Sequence, residues 1–245
     1  MRFGIIADIH ANLEALTVAL NVLEEEGVDQ IICLGDVIGY NANPVECISL
    51  LREKEIPAIK GNHERYVIGE KNQTLKGDTQ KMIDWTREQL DEKLIRFIAE
   101  KMPNKMLHES GFLITHGSPR NKDEYLLKLN SFVANLKLME SKYLDVSICF
   151  HGHTHLPSII GRGHIVQNAE EDTLIELFKG KQYLINPGSV GQPRDRCPLT
   201  AFGLYDSDAF TFQFYRRSYD VEATQAKIRK LGFAERFADR LSLGK

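Results

Sequence analysis

The chain opens on an apolar run over 3–7 that stops at charged Asp8, and Leu13, Leu16, Leu20 and Leu23 then recur at helical spacing. A buried strand followed by an amphipathic helix is the expectation. The alternation then repeats. Residues 31–34 read as the next strand, and Asn43-Pro44 opens a helix, with Asn as N-cap and Pro at the first helical position. That helix runs through Cys47, Leu50 and Leu51 and ends before Pro57, and 58–60 read as a third short strand. Residues 69–78 are polar and carry glycine, the composition of a mobile loop. Helical patterns centre on Met82, Trp85 and Leu90 and on Leu94, Phe97 and Ile98. Strands follow at 112–115 and 146–150, with a helix over 122–140 between them. Beyond His155 the texture turns to strand, at 158–160, 173–178, 182–185, 201–206 and 210–217. The chain closes as helix over 221–242, interrupted at Gly232. No repeat, low-complexity tract or linker divides it, so one domain spanning 1–245 is expected.

Of the 245 residues, 42% are hydrophobic and 27% charged, ample apolar material for one large core. A net charge of -3 with no block of Lys or Arg disfavours a surface that binds nucleic acid by neutralising its phosphates. The first apolar run is too short for a signal sequence or a membrane span. None of the four cysteines (Cys33, Cys47, Cys149, Cys197) stands in a CxxC pair, and Cys33 and Cys149 lie inside apolar runs as small buried hydrophobes. A reducing, cytoplasmic setting with no membrane partner is the expectation.

Five polar clusters each follow directly on an apolar run: Asp8-Ile9-His10, Gly35-Asp36, Gly61-Asn62-His63-Glu64, His116-Gly117 and Gly152-His153-Thr154-His155. In α/β sheets the carboxyl ends of strands are where ligands bind, so these clusters are expected to converge on one edge. Carboxylate, amide and imidazole donors without thiolate suit Mn, Fe, Zn, Ni or Co and disfavour Ca or a Cys-type structural zinc. The donors outnumber the needs of one ion; two ions sharing a bridging carboxylate would use them all. Taken singly each cluster is weak, since a lone strand-end Asp more often caps a helix or makes a turn. Order and spacing together make them specific.

This series, Asp-x-His, Gly-Asp, Gly-Asn-His-Glu, His-Gly and Gly-His-Thr-His, resembles the signature of the calcineurin-like metallophosphoesterases across 8–155. The stretch Asn186-Pro187-Gly188-Ser189-Val190-Gly191-Gln192-Pro193-Arg194 is similar to the small bacterial and archaeal phosphodiesterase branch. The resemblance implies an α/β fold, a four-layer αββα sandwich of two facing mixed sheets flanked by helices. It also implies that Asp8, His10, Asp36 and His155 hold one divalent ion and Asp36, Asn62, His116 and His153 a second, Asp36 bridging. Manganese stands first among the metals, with Fe, Ni, Co or Zn as alternatives. Glu64 stands where Asp is usual, a change expected to retune His63 without removing a ligand. Val37-Ile38-Gly39-Tyr40 replaces the Asp-Arg of the phosphoprotein phosphatases, which argues against protein-phosphatase activity. His151 lies outside the motif.

The expected activity is hydrolysis of a phosphodiester or phosphomonoester bond in a small phosphorylated or nucleotide substrate, with hydroxide between the metals as nucleophile. His63 neighbours a ligand, is not one in the family pattern, and titrates in the useful range, so it is the candidate proton donor to the leaving group. Arg194, Tyr40 and Asn41 are candidate substrate contacts, with Asn43 beside them. The loop over 186–194 could offer backbone N–H groups to an anion, with Arg194 as a bidentate fork, unless Asp195 pairs with it. On the same metal core, a nucleotide-polyphosphate hydrolase or a phosphomonoesterase fits equally, and a nuclease is disfavoured by the missing basic run. A non-catalytic scaffold on the same fold is disfavoured because every motif position is filled.

Overall fold

A strand buried on both faces reads as a continuous apolar run, because each side of the sheet must be covered. Strand β1 (Arg2–Ile6) is such a run, and it pairs in parallel with β2 (Gln30–Cys33), Ile6 opposite Cys33. The computed structural model describes residues 1–71, 75, 77–167 and 172–245. Of the loop expected at 69–78, residues 72–74 and 76 lie outside that set.

The remaining strands are β3 (Lys105–Leu107), β4 (Leu113–Thr115), β5 (Ile148–Phe150), β6 (Ser158–Gly161), β7 (His164–Gln167), β8 (Leu174–Glu176), β9 (Tyr183–Asn186), β10 (Thr200–Asp206) and β11 (Thr211–Arg217). One mixed sheet has the order β2-β1-β10-β11-β8 and the other β3-β4-β5-β9-β6-β7. Helices α1 (Leu13–Glu25), α2 (Pro44–Glu53), α3 (Asn62–Val67), α4 (Asp78–Gln89) and α5 (Glu92–Lys101) come from the first half. Helix α6 (Leu129–Lys142) follows β4, and α7 (Val221–Lys230) and α8 (Glu235–Leu243) close the chain.

Side-chain alternation sorts these elements into four layers. Phe3, Ile5, Ile32, Phe212 and Phe214 of the first sheet meet Ile114, Ile148, Phe150 and Ile185 of the second in one core between the sheets. The opposite faces carry Ile6, Cys33, Phe202 and Tyr215 against Leu16, Leu20 and Leu23 of α1 and Cys47 and Leu51 of α2. Leu113, Cys149 and Leu184 do the same against Phe132, Leu136 and Met139 of α6. The αββα sandwich expected from the sequence is therefore present. Buried Cys33, Cys47 and Cys149 behave as small hydrophobes, and no cysteine is paired.

Several local expectations need correction. Residues 58–60 form no strand, only an isolated bridge between Ala58 and Cys33. The helix expected from residue 122 begins at Leu129, and α3, β3 and β7 were not anticipated. Asn43 precedes α2 but its side chain does not cap it; it donates to Glu46 at 2.9 Å and accepts from Lys227 at 3.0 Å. The break at Gly232 is real, its φ of 70° ending α7 in a conformation that suits glycine.

Candidate metal centre and active site

The parallel pairs do the positioning. Strands β1 and β2 run side by side in one sheet, and β4, β5 and β9 in the other, so five carboxyl ends open on one edge. Asp8 and His10 follow β1, Asp36 follows β2, His116 follows β4, and His153 and His155 follow β5. Asn62 is the first residue of α3. All seven are buried.

The backbone is strained where it delivers them. Asp8, His10, Asp36, Tyr40, His153 and His155 all have positive φ, between 50° and 69°, a conformation costly for non-glycine residues and concentrated at functional sites. Two glycines permit the close approach. A Cβ on Gly61 would lie 2.0 Å from Asp36 Oδ1, and one on Gly39 would lie 2.1 Å from His63 Nδ1.

Donor atoms converge in three groups: Asp8 with His10 and His155, His10 with Asp36 and His63, and Asp36 with His116 and His153. Asp36 Oδ2 lies 3.2 Å from His116 Nε2 and 3.7 Å from His10 Nε2. His116 Nε2 is 3.2 Å from Asn62 Oδ1, His155 Nε2 is 3.5 Å from Asp8 Oδ1, and His10 Nε2 is 3.1 Å from His155 Nε2. The far side of each ring is anchored on a main-chain carbonyl: His10 Nδ1 on Ile38 at 3.4 Å, His116 Nδ1 on Leu34 at 2.9 Å, His155 Nδ1 on Gln192 at 2.5 Å. A carbonyl only accepts, so Nδ1 carries a proton in each, and on the neutral rings of His10 and His155 the Nε2 lone pair faces inward. Facing lone pairs on His10 and His155, and a buried His153 Nε2 with no partner among the described residues, fit cations held between them.

Electrostatics agree with that donor set. Burial, aided by neighbouring positive charge, holds His10 and His155 well below the ordinary imidazole range and takes His153 down to about 3, so these rings are neutral and able to ligate. Burial pushes the Asp8 carboxyl up to about 7 and would raise Asp36 too, but His116, His63 and His10 hold Asp36 well below its ordinary range. His116 is the exception among the rings: burial lowers it, yet the Asp36 charge carries it up to about 9.

His63 stands beside this group, its ring centroid 4.7 Å from that of His10 and 4.5 Å from that of Tyr40. Its main-chain N–H donates to Asp36 Oδ1 at 2.8 Å, while its Nδ1 has no partner among the described residues. Burial, with the charges of Arg194 and His116, takes the ring down to about 4, so the expectation that it titrates near neutrality on its own is corrected. Glu64 does not reach the His63 ring either. It accepts N–H bonds from Gly61, Asp36, Val37 and Ile38 at 2.7–3.2 Å, a clamp on the turns that carry Asp36 and Asn62.

Tyr40 packs its ring against those of His10 and His63 at the centre. Asn41 does not; it is buried and donates to the His10 carbonyl at 2.7 Å, which makes it a support for His10. His151 is buried against Asn186 and belongs to none of the three donor groups. The loop over 186–194 is laced onto Asp8. Val190 and Gly191 donate to the Ala7 and Asp8 carbonyls at 2.9 and 3.0 Å, Gln192 N–H goes to Ser189 and Gly188 N–H to Asn186. These N–H groups are spent on the protein and do not face an anion. Arg194 does face the centre: its charge acts on Asp8, His10, His63, His153 and His155, and Asp195 pairs with Arg216 instead. Tyr125, which has no motif around it in the sequence, stacks on His153 at 3.8 Å, and the charge of Arg194 acts on its hydroxyl.

Comparison with known proteins agrees with the geometry. A profile of the calcineurin-like phosphoesterase superfamily domain matches residues 1–208. An uncharacterized protein of Methanocaldococcus jannaschii is 32% identical over 252 residues, covering 99% of this chain and 98% of that protein. The crystal structure of a metallophosphoesterase from Sphaerobacter thermophilus superposes with a TM-score of 0.85 at 33% identity, over 100% of this chain and 99% of the other. A hypothetical protein of Pyrococcus horikoshii, 19% identical, shares the fold with a TM-score of 0.82 over 100% of this chain and 98% of its own. No helix among the described residues is long and apolar enough to cross a membrane. The chain belongs to the calcineurin-like phosphoesterase superfamily, whose members use divalent metals.

Proposed function

We propose that this chain is a two-metal phosphoesterase that hydrolyses phosphodiester bonds in a small phosphorylated or nucleotide substrate. The observation that carries the reading is Asp36 Oδ2, which stands within 3.7 Å of both His10 and His116 and so joins two donor groups through one carboxylate. In this reading Asp8, His10, Asp36 and His155 hold one cation and Asp36, Asn62, His116 and His153 the other, with manganese foremost and Fe, Ni, Co or Zn behind it. When bound, such a pair supplies a water of lowered pKa and neutralises phosphoryl charge.

The protein's own groups do the rest. Carbonyl anchors on His10, His116 and His155 keep their Nε2 atoms aimed inward without a reorganisation cost at the moment of reaction. His63 gives a proton to the leaving oxygen. Burial and the charges of Arg194 and His116 hold the ring low, and an anionic substrate beside it favours the protonated form. Arg194 holds a phosphoryl oxygen with its planar fork.

Metal analysis coupled to turnover tests this. Manganese-loaded wild type should hold two ions per chain, Asp36→Asn should lose both, and His155→Ala mainly one. Turnover of bis(p-nitrophenyl) phosphate should follow occupancy. One ion per fully loaded chain, unaffected by Asp36→Asn, would sink the two-metal reading.

A further inference from the structure

Two guanidiniums at the rim of the centre pair with no Asp or Glu side chain among the described residues. Arg194 Nε is buried without a hydrogen-bond partner among those residues, and the adjacent Asp195 pairs with Arg216. Arg240, on α8, lies with its guanidinium 5.4 Å from the Tyr40 ring centroid. Its Nε donates to the Lys245 main-chain oxygen at 2.6 Å. The Gln192 amide oxygen, turned toward it, stands 3.1 Å from both Nε and Nη1. The acids of α8 are engaged elsewhere: Glu235 and Asp239 pair with Arg229 at 2.6 and 3.4 Å. Arg236 on the same helix has its own acid, Asp78, at 2.9 Å.

The position of Arg240 is tied to the proposed ligands. Tyr40, beneath it, packs on His10 at 4.7 Å and on His63 at 4.5 Å between ring centroids. Gln192, beside it, accepts from His155 Nδ1 through its carbonyl. Arg240 therefore lies one side-chain layer outside His10 and His155. Burial lowers its pKa, and the charge of Arg194 lowers it further. Two like charges near one another, neither paired with an Asp or Glu side chain, favour an anion that joins them.

We propose that Arg240, together with Arg194, forms a second anion subsite that takes the next phosphoryl group of a condensed-phosphate substrate, a nucleoside diphosphate or a longer phosphate chain. The proposal rests on the phosphoesterase reading, since a phosphoryl group at the metals is what brings its neighbour to the rim. It also gives the C-terminal hairpin a role, because α7 and α8 lie beyond the residues 1–208 that the family profile matches. A purely structural Arg240, pinning α8 onto Tyr40, Gln192 and Lys245, would act on both nucleotides alike and not discriminate a second phosphoryl group.

That difference sets the experiment. Metal-loaded wild type, Arg240→Met and Arg240→Lys are titrated calorimetrically with ADP and with AMP in excess metal, and the same nucleotides are used as competitive inhibitors of bis(p-nitrophenyl) phosphate turnover. Wild type should bind ADP at least about tenfold more tightly than AMP, and Arg240→Met, which keeps the stem over Tyr40, should lose most of that ratio. Arg240→Lys should keep part of it, because a point charge replaces the fork. An unchanged ADP-to-AMP ratio in either variant, or equal losses for both nucleotides, overturns the subsite. The calorimetric ratio needs no turnover, so a wild type that hydrolyses nothing would count against the phosphoesterase reading and leave the subsite to be judged on binding.

Discussion

The Glu64 carboxylate accepts the main-chain N–H of Asp36 at 2.9 Å, holding from behind the residue whose side chain joins two donor groups. Three more N–H donors, from Gly61, Val37 and Ile38, end on the same two oxygens. Burial pushes this carboxyl up to about 7, and the Asp36 charge adds to that, while the backbone donors pull against it. Glu64→Ala strands four buried donors and should cost about 3–5 kcal/mol in urea unfolding. Glu64→Asp, one methylene shorter, should keep part of the clamp and lower metal affinity about 10–100-fold, as changes behind metal ligands do. Wild-type stability in Glu64→Ala would show that the clamp contributes nothing.

A second carboxylate secures the loop after His116. Glu124 accepts from Ser118 at 2.6 Å, Asn135 at 2.9 Å and Arg120 at 2.9 Å. The Arg120 bond, against burial and with help from Ser118 and Asn135, takes its carboxyl from 4.5 down to about 2. A carboxyl whose folded pKa is depressed adds stability above its unfolded pKa and loses it as pH falls through the folded one. Wild type should therefore exceed Glu124→Gln by about 1–2 kcal/mol near neutrality, Arg120 being half exposed and screened, and the gap should narrow from about pH 4.5 toward pH 2. Urea unfolding at pH 7, 4 and 3 reads it; a gap constant over that range rejects the assignment.

Much of the sandwich was legible because its strands are covered on both faces, so Phe3, Ile5 and Ile6 must all be apolar whichever way they point. The donor clusters were legible for a related reason: each interrupts such a run at the strand's end. What escaped has no local signature. Lys60 is hydrogen-bonded through its N–H to Pro103, not to a neighbouring strand, and only the tertiary context decides that. Asn41 reads like a surface polar residue until the His10 carbonyl claims it. Tyr125 and Arg240 sit in segments whose sequence resembles ordinary loop and helix, and only folding brings them to His153 and Tyr40.

His63 separates binding from chemistry. Its ring touches His10 and Tyr40 and its main-chain N–H holds Asp36, so truncating the side chain leaves the two proposed ligand sets, neither of which includes His63, in place. His63→Ala should keep wild-type metal content and lose about 10²–10⁴-fold in kcat on an alkyl phosphodiester, whose leaving alkoxide needs a proton. With p-nitrophenolate leaving, the loss should shrink. Equal losses on the two substrates would give His63 some role other than proton donor.

Arg194 tests whether the rim binds phosphate or merely frames the centre. Its neighbour Asp195 is committed to Arg216, and Tyr125, stacked on His153, lies within reach of the Arg194 charge. A guanidinium beside buried carboxylates and imidazoles, with Asp195 paired elsewhere, keeps its charge available to a ligand. Arg194→Ala should lower kcat/KM on a phosphodiester about 10–100-fold while metal content stays at the wild-type value, since no ligand group is removed. Arg194→Lys should recover only part of this, because an ammonium supplies the charge without the planar fork. Tyr125→Phe, which removes the hydroxyl but keeps the ring on His153, should fall between wild type and Arg194→Ala if the hydroxyl aims the guanidinium; a match to wild type rejects that role. Wild-type kcat/KM in Arg194→Ala would leave the rim as a frame, and the metal ligands would carry the phosphate alone.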